Sequence, residues 1–472
     1  MLDKIGEYII AVSDFICGYP LFFLLIGGGL YLFIRSGAVS VYRLPEALKA
    51  LRQKNAGDKS SGEISSGAAL LSVVAATVGL GSIAGVTIAL VMGGPGAIFW
   101  MWISAMVGMA TKYHEGALSI MYKGKDRQGK TKGGMMYVIT EGMGRKWKPL
   151  AIFFAIAGLF GTFCIINANQ LTEGLVSTFT SPESVSSSGF LTAIGSVTFL
   201  SNESVLKLIF GLAIALLVVI VVLRGVKRIA QVSAVLVPFM VGVYFLMVLY
   251  IILTHLHLLP GAIASIFSEA FSLKAGFGAF AGIAIIGARR AALVNDAGIG
   301  TASIMHGAST NTEPVKEGLV AMLGPAIDSG FVCTLTAIAL LLCGDFTNVE
   351  GVKGLEVAMN AFDSAIPGGA YLLLALAAIF ALSSMFSYSY YGTSCAAYLF
   401  GEKRAKWYTY FYIASLVVFA LVPVEAAVGM CDLFYALMAI PTMITLIALS
   451  GRLRKATRQF FGSKNGKIIK NK

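Results

Sequence analysis

The stretch Thr77–Val86 reads TVGLGSIAGV and places three glycines, Gly79, Gly81 and Gly85, inside an otherwise apolar segment. Glycine destabilises a helix by roughly 1 kcal/mol relative to alanine, so glycines this close together favour local unwinding. A second stretch, KAGFGAFAGIAIIGA (Lys274–Ala288), has the same character. Close helix packing through small residues is the alternative explanation, but a matching pair of such stretches favours a break in both segments.

The whole chain is strongly apolar. Of its 472 residues, 57% are hydrophobic and 13% are charged, and the mean hydropathy is +0.81. Soluble proteins carry about 25% charged residues, so this composition excludes a water-soluble fold. Apolar stretches of about 20 residues cross a bilayer as helices, because lipid offers the backbone no hydrogen-bond partner. The sequence therefore predicts an all-α polytopic membrane protein with eleven spans, at 15–34, 66–92, 96–120, 149–176, 206–223, 230–254, 275–305, 317–343, 369–399, 407–424 and 428–450.

Lysines and arginines are concentrated in alternate loops, which explains the net charge of +12 without nucleic acid as a partner. The positive-inside rule then predicts an outside N-terminus and a cytoplasmic C-terminus in the cell (inner) membrane. The first apolar run continues to Arg35 without a basic leader or cleavage site, so we interpret it as an anchor helix. The basic C-terminal tail is expected to face membrane lipid.

Without the first span, the chain divides at the loop around 255–270 into two sets of five spans. An odd number of spans per set requires the second set to enter the membrane from the opposite side, so any internal symmetry is inverted. The predicted organisation is an extra helix and loop, two five-helix repeats and a basic tail, at 1–63, 64–254, 255–450 and 451–472. A glycine-broken span opens each repeat, and this pattern is typical of secondary transporters.

Unwound backbone in mid-membrane must line a polar cavity or be covered by protein. Its free carbonyls then coordinate a cation, and the N-terminus of a half-helix faces a carboxylate. The pattern thus predicts a site for a small zwitterion and an ion. The chain lacks the repeated rings of a channel, and it has neither a nucleophile with a base nor a metal motif, so we expect neither an enzyme nor a bound cofactor.

Several polar residues within the predicted spans are candidates for this site. Asn167 and Gln170 lie at i and i+3, where both amides face one side of a helix, and Gln170 either binds substrate or bonds a neighbouring helix. Asp328 is the deepest acidic residue, and it is either an ion- or proton-coupling group or a structural carboxylate. Arg290 and Asp296, with the adjacent Arg289, suggest a cytoplasmic gate, although solvated loop charges are equally consistent.

The segment GGPGAIFWMWISAMVGMATKYHEG (Gly93–Gly116) combines a tight turn, an aromatic cluster and a helix that we expect to end near Lys112 and Glu115. Read whole, it resembles the signature of the sodium:alanine (alanine or glycine:cation) symporter family. The resemblance continues in order through GLGSIAGV, GGMMY, VKRIAQVSAVLVPFM, VNDAGIGTASIMHGA, PVKEGLVAMLGPAIDS, SYYGTSCAAYLFG and MAIP. It implies a leucine-transporter-like fold with a five-plus-five inverted repeat, and symport of a small neutral amino acid, alanine or glycine, with Na⁺ by alternating access.

The resemblance also implies positions for the ions. The first glycine-rich break would give carbonyls to two sodium positions, from Ala75 and Val78 for one and from Thr77 for the other. Hydroxyls of the ninth span would complete the first position, although such hydroxyls commonly bond their own helix backbone. The candidate hydroxyls are those of Ser383, Ser384 and Ser387.

The substrate would lie between the two predicted breaks, against Thr77, Gly79, Gly81 and Ser82 on one side and Gly276 and Gly278 on the other, with Asn167 and Gln170 nearby.

Some residues depart from the family pattern. Ser82 stands where the family usually has asparagine, which removes an amide that could hold Na⁺ or the substrate carboxylate. Proton coupling through Asp328, or transport of a different small zwitterion, is therefore the alternative to sodium coupling. At other positions, Met135 replaces the usual proline of the family. Thr172 and Thr442 each replace an asparagine, and Asp296 and Thr393 each replace a glutamate.

Overall fold

A computed structural model describes residues 16, 19–52, 62–126, 128–180, 188–198, 200–271, 277–344 and 354–470. The regular secondary structure in these ranges is helical, apart from one short hairpin of β1 (Gly124–Lys125) and β2 (Thr131–Lys132). Numbered in chain order, the helices are α1 Tyr19–Arg35, α2 Val39–Tyr42, α3 Leu44–Arg52, α4 Ser66–Thr77, α5 Gly81–Gly93, α6 Gly96–Met121, α7 135–143, α8 Lys148–Gly161, α9 Ile165–Phe179, α10 Gly189–Thr198, α11 Asn202–Val222, α12 Val226–Thr254, α13 Leu259–Ala270, α14 Phe277–Val294, α15 Thr301–Gly307, α16 Pro314–Cys343, α17 Gly354–Ala365, α18 Gly369–Phe400, α19 Glu402–Phe419 and α20 Val424–Lys470.

Length and hydropathy mark the helices that are able to cross a membrane. Within the described ranges six helical stretches qualify, and the bent pair α4–α5 adds a seventh. The six are Arg145–Phe179, Asn202–Val222, Val226–Thr254, Pro314–Cys343, Gly369–Phe400 and Ala426–Gly462. A multi-pass, all-helical membrane protein is thereby confirmed, whereas the count of eleven spans, the inverted repeat and the domain boundaries stay predictions.

The first predicted break is present. α4 leaves helical geometry at Val78 (φ −71°, ψ 85°), and the chain re-enters a helix at Gly81, so that α4 and α5 meet at 56°. Ser82 N–H donates to the carbonyl of Gly79 across this turn. Two half-helices therefore point their unpaired ends at one place inside the protein.

The second break is not where the glycines of Lys274–Ala288 predicted it. α14 is continuous from Phe277 to Val294, and the chain unwinds only at 295–300 before α15 begins at Thr301. Here a polar side chain bonds a free backbone group, because Asn295 Oδ1 accepts a hydrogen bond from Ala297 N–H. The next residue, Asp296, adopts a left-handed φ of 53°. The glycines near the start of α14 are thus compatible with an intact helix.

α6 lies at the centre of the bundle and packs along α14, α15 and the first turns of α16. It runs to Met121, so the prediction that it ends near Lys112 and Glu115 is wrong. Both of these side chains are fully buried. α6, which contains the Gly93–Gly116 segment, is therefore a largely buried helix that packs against α14 and α15, on both sides of the second break.

A buried polar network closes the end of the bundle that holds the β1–β2 hairpin. The carboxylate of Glu317, at the start of α16, accepts hydrogen bonds from Ser66 Oγ (2.6 Å), Asn311 Nδ2 (3.0 Å) and Ser309 Oγ (3.1 Å), and it contacts His306 Nδ1 at 2.6 Å. All five side chains are buried. The first turn of α4 and the end of α15 are therefore fastened to the same carboxylate.

Candidate functional site

A cavity of about 100 Å³ lies where the two breaks face each other. Its walls come from the α4–α5 break, the first turns of α9, the end of α14 and the start of α20. Its lining residues include Thr77, Gly79, Gly81, Asn167, Gln170, Arg290, Asp296, Tyr388, Asp432 and Tyr435. This volume suits a small solute.

Asn167 and Gln170 both face this cavity from the start of α9. The Asn167 amide donates to Cys164 Sγ at 2.8 Å, which fixes its orientation. Gln170 is 6% exposed, and its amide has no hydrogen-bond partner among the residues that the structure describes. An amide that opens onto the cavity and bonds no neighbouring helix within the described ranges is available to a ligand.

The unwound segment contributes Asp296 to the cavity wall. Asp296 Oδ2 accepts hydrogen bonds from Tyr388 Oη (2.5 Å) and Thr301 Oγ1 (3.2 Å), and Tyr435 Oη donates to Tyr388 Oη at 2.5 Å. Tyr388 belongs to α18 and Tyr435 to α20, so this chain of hydroxyls links three helices across the site. Asp296 therefore lies in the wall of the central cavity, and a role in a gate stays a prediction.

Arg289 and Arg290 lie in the last turns of α14. They lie between the cavity and the end of the bundle at which Trp100 Nε1 donates a hydrogen bond to the carbonyl of Ala270. Arg289 forms a 3.1 Å ion pair with Asp432 on α20. Arg290 faces the cavity beside the same carboxylate. These arginines lie at the opposite end of the cavity from the Glu317 network, and the gate that they were expected to form stays a prediction.

Ser383 and Ser384 meet the predicted carbonyl ligand on α4. Both hydroxyls lie 3.1 Å from the carbonyl oxygen of Ala75, and both also reach the carbonyl of Phe380 on their own helix. Two carbonyls and two hydroxyls thus form an all-oxygen cluster between α4 and α18. Oxygen ligands of this kind suit a hard cation such as Na⁺.

Ser387 does not belong to this cluster. Its hydroxyl donates to the carbonyl of Ser72 at 2.9 Å, one turn along both helices from the Ala75 carbonyl. Ser387 therefore ties α18 to α4 but lies apart from the other predicted ligands.

Asp328 lies behind the cavity wall, fully buried, at the point where α16 passes the first break. Its Oδ1 accepts a 2.6 Å hydrogen bond from Ser82 Oγ. Its Oδ2 and the hydroxyl of Thr77 are buried, and neither has a hydrogen-bond partner within the described part of the chain. Two unsatisfied oxygens on facing helices form a place where a cation or a proton would be stabilised.

Lys112 and Glu115 are site residues that the sequence did not reveal. Glu115 Oε1 accepts a 2.7 Å hydrogen bond from Gly298 N–H in the second break, which satisfies one of its free backbone groups. Lys112 Nζ is buried without a hydrogen-bond partner in the described ranges. Their spacing of three along an apolar helix was the available signal, since it places both on one face.

Of the two glycines predicted to face the first break, Gly276 lies outside the described residues. Gly278 precedes the cavity-lining Arg290 by twelve positions on the same helix, about 18 Å at 1.5 Å per residue, and so lies far from the cavity. The second wall is instead formed by Leu293, Val294 and Asp296.

Comparison with known proteins agrees with this geometry of two facing breaks. Residues 2–471 match the model of the sodium:alanine symporter family. The chain is 36% identical to an uncharacterised transporter of Haemophilus influenzae, over 96% of this chain and 95% of the relative. It is 35% identical to the sodium/alanine symporter AgcS of Methanococcus maripaludis, over 95% of this chain and 96% of AgcS.

Among solved structures, the crystal structure of MhsT in complex with L-phenylalanine superposes with a TM-score of 0.56 at 15% identity, over 81% of this chain and 88% of MhsT. This likeness shows that the fold is leucine-transporter-like. The site and the matches define a secondary transporter of the membrane and not an enzyme. The chain belongs to the sodium:alanine symporter family.

Proposed function

We propose that this protein imports a small neutral amino acid, alanine or glycine, together with Na⁺ by alternating access. The observation that carries the proposal is the oxygen cluster at Ala75, where two serine hydroxyls of α18 converge on a carbonyl just before the first break. An ion there stabilises the end of α4 next to the cavity. Because coupling between two ligands is reciprocal, sodium raises amino-acid affinity and the amino acid raises sodium affinity.

The cavity offers complementary groups to a zwitterion. α5 begins at Gly81 in the cavity wall, and the positive end of a helix favours the substrate carboxylate. The free Gln170 amide and the carboxylate of Asp296 provide acceptors for the ammonium group. Thr77, Gly79 and Asn167 complete the polar side of the pocket. Ser82 acts indirectly in this proposal, by holding Asp328 behind the wall.

A short, uncharged substrate side chain fits the remaining wall. Ala84, Gly85, Ile88 and Val294 line it, and a Cβ added at Gly85 would already lie 3.2 Å from Val294 Cγ2. This close approach narrows the apolar wall, which favours a substrate side chain no larger than a methyl group or a hydrogen atom. The relative AgcS, named a sodium/alanine symporter, supports the same choice of substrate.

In the transport cycle, one helix bundle would rock and expose this site inward. The predicted organisation is two five-helix repeats, preceded by the extra helix α1 and followed by the basic tail. The N-terminus is outside and the C-terminus is cytoplasmic in this proposal, so the Glu317 network closes the inner path. Arg290, with the Arg289–Asp432 pair, then forms the outer gate. Fluorescence of a GFP fused to the C-terminus tests this orientation, since GFP exported unfolded does not fluoresce.

Proton coupling is the second candidate, and Asp328 is the observation that favours it. Its Oδ2 is buried without a partner, so a proton bound there would remove an uncompensated charge. In the same way, Asp328 could contribute to a second cation site with Thr77.

Uptake into proteoliposomes separates the two candidates. We expect an inward Na⁺ gradient at equal pH to drive accumulation of labelled alanine, and a pH gradient in Na⁺-free buffer to drive none. Accumulation driven by the pH gradient alone would overturn sodium coupling. Competition by unlabelled amino acids tests the substrate: inhibition by glycine and alanine is expected, and inhibition only by bulky or cationic amino acids contradicts the proposed class.

A further inference from the structure

A basic pocket of about 650 Å³ lies at the hairpin end of the bundle, away from the central cavity. It is enclosed by the β1–β2 hairpin, the first residue of α8 and the turn between α18 and α19. Four cationic side chains line it: Lys125, Lys148, Lys403 and Arg404. None of the four forms an ion pair within the described ranges. The pocket therefore collects positive charge that the protein itself leaves unneutralised.

The two acidic residues of the pocket do not pair with these four cations. Asp126 Oδ1 accepts from the backbone N–H groups of Gln128 and Lys130, which shapes the hairpin turn, and its Oδ2 has no hydrogen-bond partner in the described ranges. Glu402 forms a 3.0 Å ion pair with Lys132, which is not among the lining residues. The four cations therefore outnumber the acidic groups of the pocket, and this excess of positive charge favours an anionic ligand.

An apolar groove of about 300 Å³ continues directly from this pocket, and the two share Phe400 and Arg404. Leu159, Phe160, Phe163, Trp407 and Phe411 form its walls. The side chains along its outer edge are well exposed, 74% for Trp407 and 56% for Phe411. Aromatic groups this exposed on a membrane protein face lipid, and tryptophan marks the level of the headgroups.

We propose that the pocket and the groove together bind one anionic phospholipid, with its phosphate among Lys148, Lys403 and Arg404 and an acyl chain along Phe160, Phe163 and Phe411. A single occupant is required because Arg404 and Phe400 belong to both spaces. Its chemistry follows from the charge and polarity of the two parts: a phosphate for the basic pocket and a hydrocarbon chain for the aromatic groove. A free phosphate would leave the groove empty, and a neutral lipid would leave the cations unpaired.

Binding is tested on the purified full-length protein in detergent, by thermal unfolding during titration with phosphatidylglycerol, because a ligand of the folded state raises the unfolding temperature. The test variant is Lys403→Gln/Arg404→Gln, and the matched control is Lys406→Gln, an exposed lysine of the same helical turn that does not line the pocket. All three positions are exposed, so these variants keep the fold. We expect the double variant to weaken apparent phosphatidylglycerol affinity at least tenfold and the control to change it less than twofold.

Two further arms identify the source of the phosphate and the role of the groove. Inorganic phosphate and glycerol 3-phosphate should give no stabilisation at concentrations where phosphatidylglycerol saturates, and phosphatidylcholine should give little. The variant Trp407→Ala/Phe411→Ala should bind phosphatidylglycerol more weakly than the wild type, and phosphatidylcholine should still give little stabilisation. Equal affinity in the Lys403→Gln/Arg404→Gln variant and the wild type would overturn the proposal, as would stabilisation by free phosphate that matches the lipid.

Discussion

Ser82 Oγ donates a 2.6 Å hydrogen bond to Oδ1 of Asp328, and this bond joins the first helix break to the middle of α16. The family usually has an asparagine at the position of Ser82. The serine therefore brings a carboxylate into contact with the break through a short hydroxyl.

Replacing Asp328 by asparagine keeps the size of the side chain and removes its charge. We expect Asp328→Asn to lower Na⁺-driven uptake at least tenfold, because an uncharged amide no longer stabilises a cation or binds a proton beside Thr77. Uptake into proteoliposomes measures this, and size-exclusion chromatography establishes that the variant is folded. Wild-type Na⁺ dependence in Asp328→Asn would show that the carboxylate is structural.

The two classes of serine on α18 provide a matched comparison. Ser384→Ala removes a hydroxyl 3.1 Å from the Ala75 carbonyl, whereas Ser387→Ala removes one bonded to Ser72. We expect the first to raise the Na⁺ concentration for half-maximal uptake at least fivefold and the second less than twofold, because only the first belongs to the oxygen cluster. Equal effects of the two substitutions would contradict the assignment of the cluster to Na⁺.

Gly79 tests the same cluster from the other helix. A Cβ added there would lie 2.7 Å from Ser384 Oγ, so Gly79→Ala must push this hydroxyl away from its present position. At Gly324 an added Cβ meets nothing closer than Val73 Cγ1 at 3.9 Å. Transport assays should therefore show weakened Na⁺ dependence for Gly79→Ala and near-normal behaviour for Gly324→Ala. The reverse order of severity is incompatible with the packing.

Glu317 is the hub of the network at the hairpin end. Glu317→Gln replaces an acceptor by a donor among four buried groups, and each unsatisfied buried group costs about 1–3 kcal/mol. We expect the unfolding temperature in detergent to fall by several degrees. Glu313→Gln, an exposed neighbour without a side-chain hydrogen bond of its own in the described ranges, serves as the control and should change little. A similar loss in both variants would show that burial of Glu317 is unimportant.

The Arg289–Asp432 pair joins α14 to α20, and Asp432 is mostly buried. Arg289→Gln leaves a buried charge without its partner, so we expect it to impair uptake more than the double variant Arg289→Gln/Asp432→Asn, in which neither charge remains. A double-mutant cycle on the substrate concentration for half-maximal uptake measures the coupling. Additive effects would mean that the two side chains act independently.

The first break could be predicted from sequence because Gly79 and Gly81 interrupt an apolar helix at the position where it unwinds. The second could not, because the glycines at the start of α14 resemble those of a break although the helix there is intact. The true break depends on Asn295 and on Glu115, which satisfy free backbone groups at Ala297 and Gly298. Glu115 lies in a different helix, α6, so the sequence around the second break cannot predict its hydrogen bond to Gly298.

The polar residues near the site were likewise predicted from the sequence only in part. Ser383 and Ser384 were identified through resemblance, and the structure places both at Ala75. Burial of Lys112 and Glu115 was missed because two charged residues near the end of a span resemble a solvated helix terminus. Only the packing of α6 against α14 and α16 reveals that this face is enclosed.

The hydroxyls of Ser383 and Ser384 donate to the Ala75 carbonyl that an arriving ion would need. An incoming Na⁺ must therefore displace internal hydrogen bonds, and a departing one is replaced by them at once. Such competition lowers the net gain on binding, and it keeps α4 joined to α18 when the ion has left. A sodium affinity that is lowered in this way favours release of the ion where its concentration is low. A carrier requires such release, because it must unload its ion in every transport cycle.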